Sequence, residues 1–155
     1  MTDYFTLKLI HILSATVLFG TGLGTAFAMW RADASGDIRA IAVVSRNVVL
    51  ADWLFTTPAV IVQPLTGFWM LHLLGIPMSL TWVWLSLLLY VAIGLCWIPV
   101  VFIQLRVARL SAELAAAGQA PDLAYRRLMR AWYALGWPAF LATIGIFGLM
   151  VFKPA

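Results

Sequence analysis

Four stretches of this chain, at about residues 4–30, 49–74, 80–105 and 131–152, are almost free of charge. Each exceeds the roughly 20 apolar residues that a bilayer-crossing helix needs. A hydrocarbon core offers no partner to a free backbone amide or carbonyl, so such stretches fold as helices. None of them alternates polar with apolar residues as a half-buried strand does. Only 10% of the 155 residues are charged and mean hydropathy is +0.99. A chain with so little polar surface takes lipid as its solvent. The expected fold is all-α: a polytopic membrane protein, one four-helix transmembrane domain over residues 1–155.

Charge placement orients the bundle. Arg31, Arg39 and Arg46 follow the first span. Arg106, Arg109, Arg126, Arg127 and Arg130 lie between the third and fourth. The short second loop, GIPMS, has no basic residue. Basic loops stay in the cytoplasm, so both termini are expected outside, across a bacterial inner membrane. The net charge of +4 reports topology and not nucleic-acid binding. No basic residue precedes Lys8, so the first span reads as retained and not as a cleaved signal. Trp30, Trp53 and Trp132 fall near one boundary, and Trp69, Trp82 and Trp84 near the other, as an aromatic belt. In the third loop, RVARLSAELAAAG reads as a short amphipathic helix ending at Gly118, and Pro121 opens the helix that enters the fourth span. Cys96, the single cysteine, cannot form an intrachain disulfide.

Polar residues inside the spans are the candidates for chemistry. In the first, His11, Ser14, Thr21 and Thr25 share roughly a third of the helix circumference at 100° per residue. Gly20, Gly22 and Gly24 lie nearby, and small residues permit close helix approach. In the second, Asp52, Thr56, Ala59, Gln63 and Gly67 form one stripe that a bundle can hide. Asp52 stands about one turn inside the basic boundary. Arg106 and Arg130 lie at similar depth, so a buried ion pair is expected there. Gln63 near the midplane is expected to bond a neighbouring helix or to touch a quinone-like ligand. Pro58 and Pro64 free backbone carbonyls that neighbouring hydroxyls or water must meet, and Pro99 and Pro138 read as packing and kink residues of the third and fourth spans.

His11 sits about two turns in from the outer boundary, and His72 ends the second span on the same side. Two imidazoles in one leaflet of a helical bundle are what a bis-histidine haem b requires. On an unbroken helix His72 points about 180° from Asp52, so a bend at Pro64 is needed to bring it inward. Otherwise it is an interfacial side chain, and Met70, Met78 or no second ligand remain open. Lys8 is a helical neighbour of His11 and is placed to meet a propionate. Gln63, Trp69 and Trp82 are candidate pocket walls.

The segments LKLIHILSATVLFGTGLGTAFAMWRA, VVLADWLFTTPAVIVQPLTG and ALGWPAFLATIGIFGLMV resemble the bacterial domain-of-unknown-function family 2269, small integral membrane proteins. That resemblance implies four spans and brings no established activity. The opening LKLIHILSATVLFG is also similar to the first helix of HemJ-type protoporphyrinogen oxidases and of CopD-like membrane proteins. In the HemJ type a lysine and a histidine stand at this spacing, which here falls on Lys8 and His11. The resemblance implies a haem ligand at His11. It does not carry the oxidase reaction, because the matching part of the third helix, TWVWLSLLLYVAIG, has no lysine.

The sequence therefore leads to a small inner-membrane protein holding haem b for electron transfer, or for oxidation of a porphyrin or quinone-like substrate. Whether it is an enzyme stays open. The alternative is a non-enzymatic factor for metal handling or complex assembly, with Met70, Met78 and His72 near the outer face. A transporter would need a homodimer, and paired broken helices in matching halves are absent.

Overall fold

The computed structural model describes residues 2–154. Five α-helices make four long rods. Helix α1 runs Thr2–Ser35 and turns through Gly36 and Asp37 into α2, Ile38–Ala51. One π-helical turn, Asp52–Thr56, joins α2 to α3, Thr57–Leu74, so these three pieces form a single rod. A short turn leads to α4, Thr81–Ala116, and a second to α5, Leu123–Phe152. All four rods are long and apolar enough to cross a membrane.

The rods are longer than the sequence suggested. The first basic segment is not a loop: Asp37 accepts a hydrogen bond from the Arg39 amide at 2.9 Å and starts α2 at once. The amphipathic segment after residue 105 is not a separate helix but the last third of α4. Hydropathy falls there while good helix formers (Arg, Leu, Glu, Ala) continue, and the backbone has no reason to stop. It stops at Gly118, whose φ of +65° is a left-handed turn that favours glycine. Asp122 then caps α5, accepting from the Tyr125 amide at 2.8 Å.

At 36 residues α4 is about 54 Å long, against a hydrocarbon core of about 30 Å. The surplus gathers at the arginine-rich end, here called the basic end. There Met29, Ala32, Ile41, Val48, Val107, Tyr125, Met129 and Trp132 form a closed core. Asp33 ties α1 to α5 above it, accepting from the Tyr125 hydroxyl at 2.8 Å and the Tyr133 hydroxyl at 3.0 Å. Ser45 and Ser111 meet at 3.1 Å between α2 and α4.

Toward the far end the rods touch lipid on most of their surface. Phe19 of α1 stacks on Phe140 and meets Phe147 of α5, and Gly145 lets Leu89 of α4 lie against α5. The Tyr90 hydroxyl of α4 donates to the Val60 carbonyl of α3. Pro64 has no amide proton to offer that carbonyl one turn below it, so Tyr90 supplies the missing donor. Gly20, Gly22 and Gly24 do not bring a helix close: a methyl group at any of them would meet nothing within 4 Å.

Candidate functional site

The stripe expected on the second rod is the face that α3 and the π-turn turn inward. Asp52, Thr56, Ala59 and Thr66 are buried on it, and Gln63 and Gly67 half-buried. It carries two polar centres, one at each end.

At the far end α1 lies directly on α3. Ser14 donates to the Ala59 carbonyl at 3.2 Å. One turn away, His11 Nδ1 and Thr66 Oγ1 are 2.7 Å apart. The Thr66 hydroxyl has one proton, and it points to the Val62 carbonyl at 2.8 Å in its own helix. With that bond kept, and with the Gln63 backbone also within reach of the ring, Thr66 Oγ1 accepts and His11 Nδ1 donates. In a neutral ring that leaves the lone pair on Nε2. The ring lies against Gly67, where a methyl group would stand in ordinary contact, 3.4 Å from His11 Cε1. Outer hydrogen bonds that fix a histidine tautomer in this way are usual beside metal-binding imidazoles.

His72 is not brought to this centre. It is exposed in the last turn of α3. Five residues beyond Gly67, it lies about 140° round the helix from the face that meets His11. Pro64 does not turn it inward. Trp69 is 60% exposed on the outside of α3. Trp82, by contrast, is buried in the first turn of α4, with the Lys153 ammonium 5.6 Å from its ring. Lys8 is exposed one turn before His11. Gln63 Oε1 is buried without a partner among the described residues, so the expected interhelical bond from that oxygen is not made.

At the basic end, Asp52 opens the π-turn. The Thr57 amide reaches back five residues to the Asp52 carbonyl, a widening that recurs at functional positions in helices. The carboxylate is 7% exposed. Its Oδ1 accepts from the Thr56 hydroxyl at 2.9 Å, and its Oδ2 has no partner among the described residues. Gln104 of α4 is buried beside it. The expected ion pair is absent among the described residues: Arg106 and Arg130 are exposed, where the guanidinium keeps its hydration at far lower cost than beside a buried acid. A cleft of about 210 Å³ opens next to Asp52, between the π-turn and α4, lined by Trp53, Trp97, Ile98, Val101 and Phe102.

Thr66 escaped the sequence reading, although it lies only about 40° from Asp52 on the same helical wheel. Asp33, Tyr125 and Tyr133 escaped it too, because nothing in their spacing marks three residues from distant segments as neighbours. Among the described residues no three His, Cys, Asp or Glu side chains gather as a metal cluster.

No curated protein and no solved structure matches the chain. The model of a family described as predicted integral membrane protein, DUF2269, matches residues 5–154. Nearly the whole chain is covered and its four rods suit that description, so the protein belongs to the DUF2269 family of integral membrane proteins.

Proposed function

We propose that this protein is a small membrane redox protein that holds haem b through His11 as the single imidazole ligand. The observation that carries the reading is the Nδ1 contact to Thr66 at 2.7 Å, which leaves Nε2 as the free donor atom. The Ser14 and Thr66 bonds hold α1 on α3, so the ring is fixed before any ligand arrives. Lys8, exposed and a turn nearer the end of the rod, suits a propionate. His72 supplies no second ligand in this arrangement. A haem there supplies one-electron chemistry, and His11 and Thr66 set how strongly the imidazole donates. In this reading the basic end lies in the cytoplasm and both termini outside a bacterial inner membrane, by the arginine bias.

The test is an absorption spectrum of detergent-purified protein from haem-replete cells, air-oxidised and then dithionite-reduced. The expected result is a Soret band that shifts on reduction, is lost in His11→Ala and altered in Thr66→Val. A colourless wild type ends the haem reading and returns His11 to helix packing. The non-enzymatic alternative in metal handling or assembly would then take its place.

A further inference from the structure

We propose that the cleft beside Asp52 binds the head of a hydroxylated aromatic of the quinol class, entering from the lipid. The site stands apart from His11. Asp52 and Thr66 are fourteen residues apart along one rod, about 21 Å.

Three observations combine. The first is the cleft itself. At about 210 Å³ it is smaller than the roughly 300 Å³ of a drug-sized pocket and suits a single ring. Second, its walls are flat and apolar. Trp53 and Trp97 flank it, with Ile98, Val101 and Phe102, and aromatic faces of this kind favour a ring over a flexible chain. Trp53, Ile98 and Phe102 are 58%, 53% and 63% exposed on the lipid side of rods whose surface is otherwise apolar. A ligand dissolved in the bilayer therefore reaches the cleft without passing through water.

Third, two unsatisfied polar atoms belong to residues of the same wall. Asp52 Oδ2 is an acceptor and Trp97 Nε1 a donor. Both are buried, and neither has a partner among the described residues. An unpaired polar atom in an apolar setting costs on the order of 1–3 kcal/mol, so a ligand that pairs both recovers free energy unavailable to an acyl chain. One ring hydroxyl has the right chemistry: its proton goes to Asp52 Oδ2 and its oxygen accepts from Trp97 Nε1. Both atoms lie under the apolar lining, so the ring seats by displacing an exposed side chain, Trp53 or Phe102. Thr56 holds Oδ1; Oδ2 has no partner at hydrogen-bonding distance among the described residues, and the Gln104 amide, buried beside the carboxylate, is the group with which a ligand hydroxyl competes there.

The experiment uses a decyl-substituted fluorohydroquinone and its dimethyl ether, each titrated into the full-length protein in nanodiscs and read by fluorine NMR line broadening. The expected result is saturable binding of the hydroquinone, with the ether about 10-fold weaker, as loss of a hydrogen bond predicts. Asp52→Asn should weaken the hydroquinone by a similar factor and leave the ether unchanged, while Trp97→Phe, which removes a donor that either oxygen can accept from, should weaken both. Ile98→Trp, which fills the cleft, should abolish both. Equal binding of the two probes to wild type would overturn the proposal and make the cleft a groove for apolar chains only. Partitioning without saturation would overturn it as well. The ether comparison needs no variant, so a misfolded mutant cannot obscure the answer. Repeating it on His11→Ala separates this site from the haem reading, because neither probe needs a bound haem.

Discussion

The two ends of the bundle are held together by different physics. At the basic end Ile41, Val107 and Tyr125 are at most 2% exposed, and α1, α2, α4 and α5 close round them. At the far end Leu65 is 63% exposed and Leu95 69%, and beside local packing such as Phe19 on Phe140 the rods are joined by single polar contacts: Ser14 to Ala59, His11 to Thr66, Tyr90 to Val60. The difference follows from the solvent. Where the rods outrun the hydrocarbon, burying a leucine removes it from water and the hydrophobic effect drives the packing. Within the hydrocarbon, lipid tails are as apolar as the side chains, so helices associate through packing and hydrogen bonds.

The sharpest challenge to this comparison is a matched pair of truncations. Ile41→Ala should cost about 2–5 kcal/mol by leaving a cavity, while Leu65→Ala, facing lipid, should cost well under about 1 kcal/mol. Thermal unfolding in detergent, followed by size-exclusion fluorescence, measures both. Equal shifts would mean that the far end also relies on a packed core. Next in size is Asp33→Ala. It removes the acceptor of two tyrosine hydroxyls, and bonds to a charged group are worth about 1.5–3 kcal/mol each, net of competition from water. Tyr125→Phe or Tyr133→Phe alone should lose only part of that.

The far end yields smaller numbers and a more specific test. Tyr90→Phe should destabilise by about 0.6–1.7 kcal/mol, the range for hydrogen bonds between membrane helices. In a Pro64→Ala background residue 64 regains an amide proton for Val60, and the cost of Tyr90→Phe should shrink. A full, unchanged cost in that background would break the link between proline and tyrosine. The smallest effects belong to α1. Gly20→Ala and Gly24→Ala meet no neighbour within 4 Å and should be neutral, or stabilising by about 0.5 kcal/mol through helix propensity. Any marked loss in either would reveal a helix packed on α1 from another molecule.

Most of the fold could be read from the amino acids, for reasons that particular residues make plain. Asp52, Thr56 and Gln63 are costly in lipid, so the face they share with Ala59 and Gly67 had to turn inward, and it does. The same arithmetic places Thr66 on that face, though it does not say that His11 lies opposite. Other errors came from treating charge as a sign of loop. Arg39 and Arg46 sit on α2 and Arg109 on α4, because arginine is a good helix former whose long side chain reaches water from a regular backbone. Asp52 was expected to seek Arg106 or Arg130. Thr56, one turn away, gives it a neutral donor without burying a second charge.

The sequence alone determined that this chain crosses a membrane four times as helices, because backbone groups in hydrocarbon have no other way to be satisfied. It also determined which face of the second rod is hidden, because helical periodicity and the cost of polar groups in lipid are local properties. The tertiary structure decided which groups meet: His11 with Thr66 and not His72, Asp33 with Tyr125 and Tyr133, Tyr90 with the carbonyl that Pro64 leaves free. Each of these depends on the depth and rotation at which one rod lies against another. Packing sets those quantities over whole helix lengths, and no local spacing encodes them.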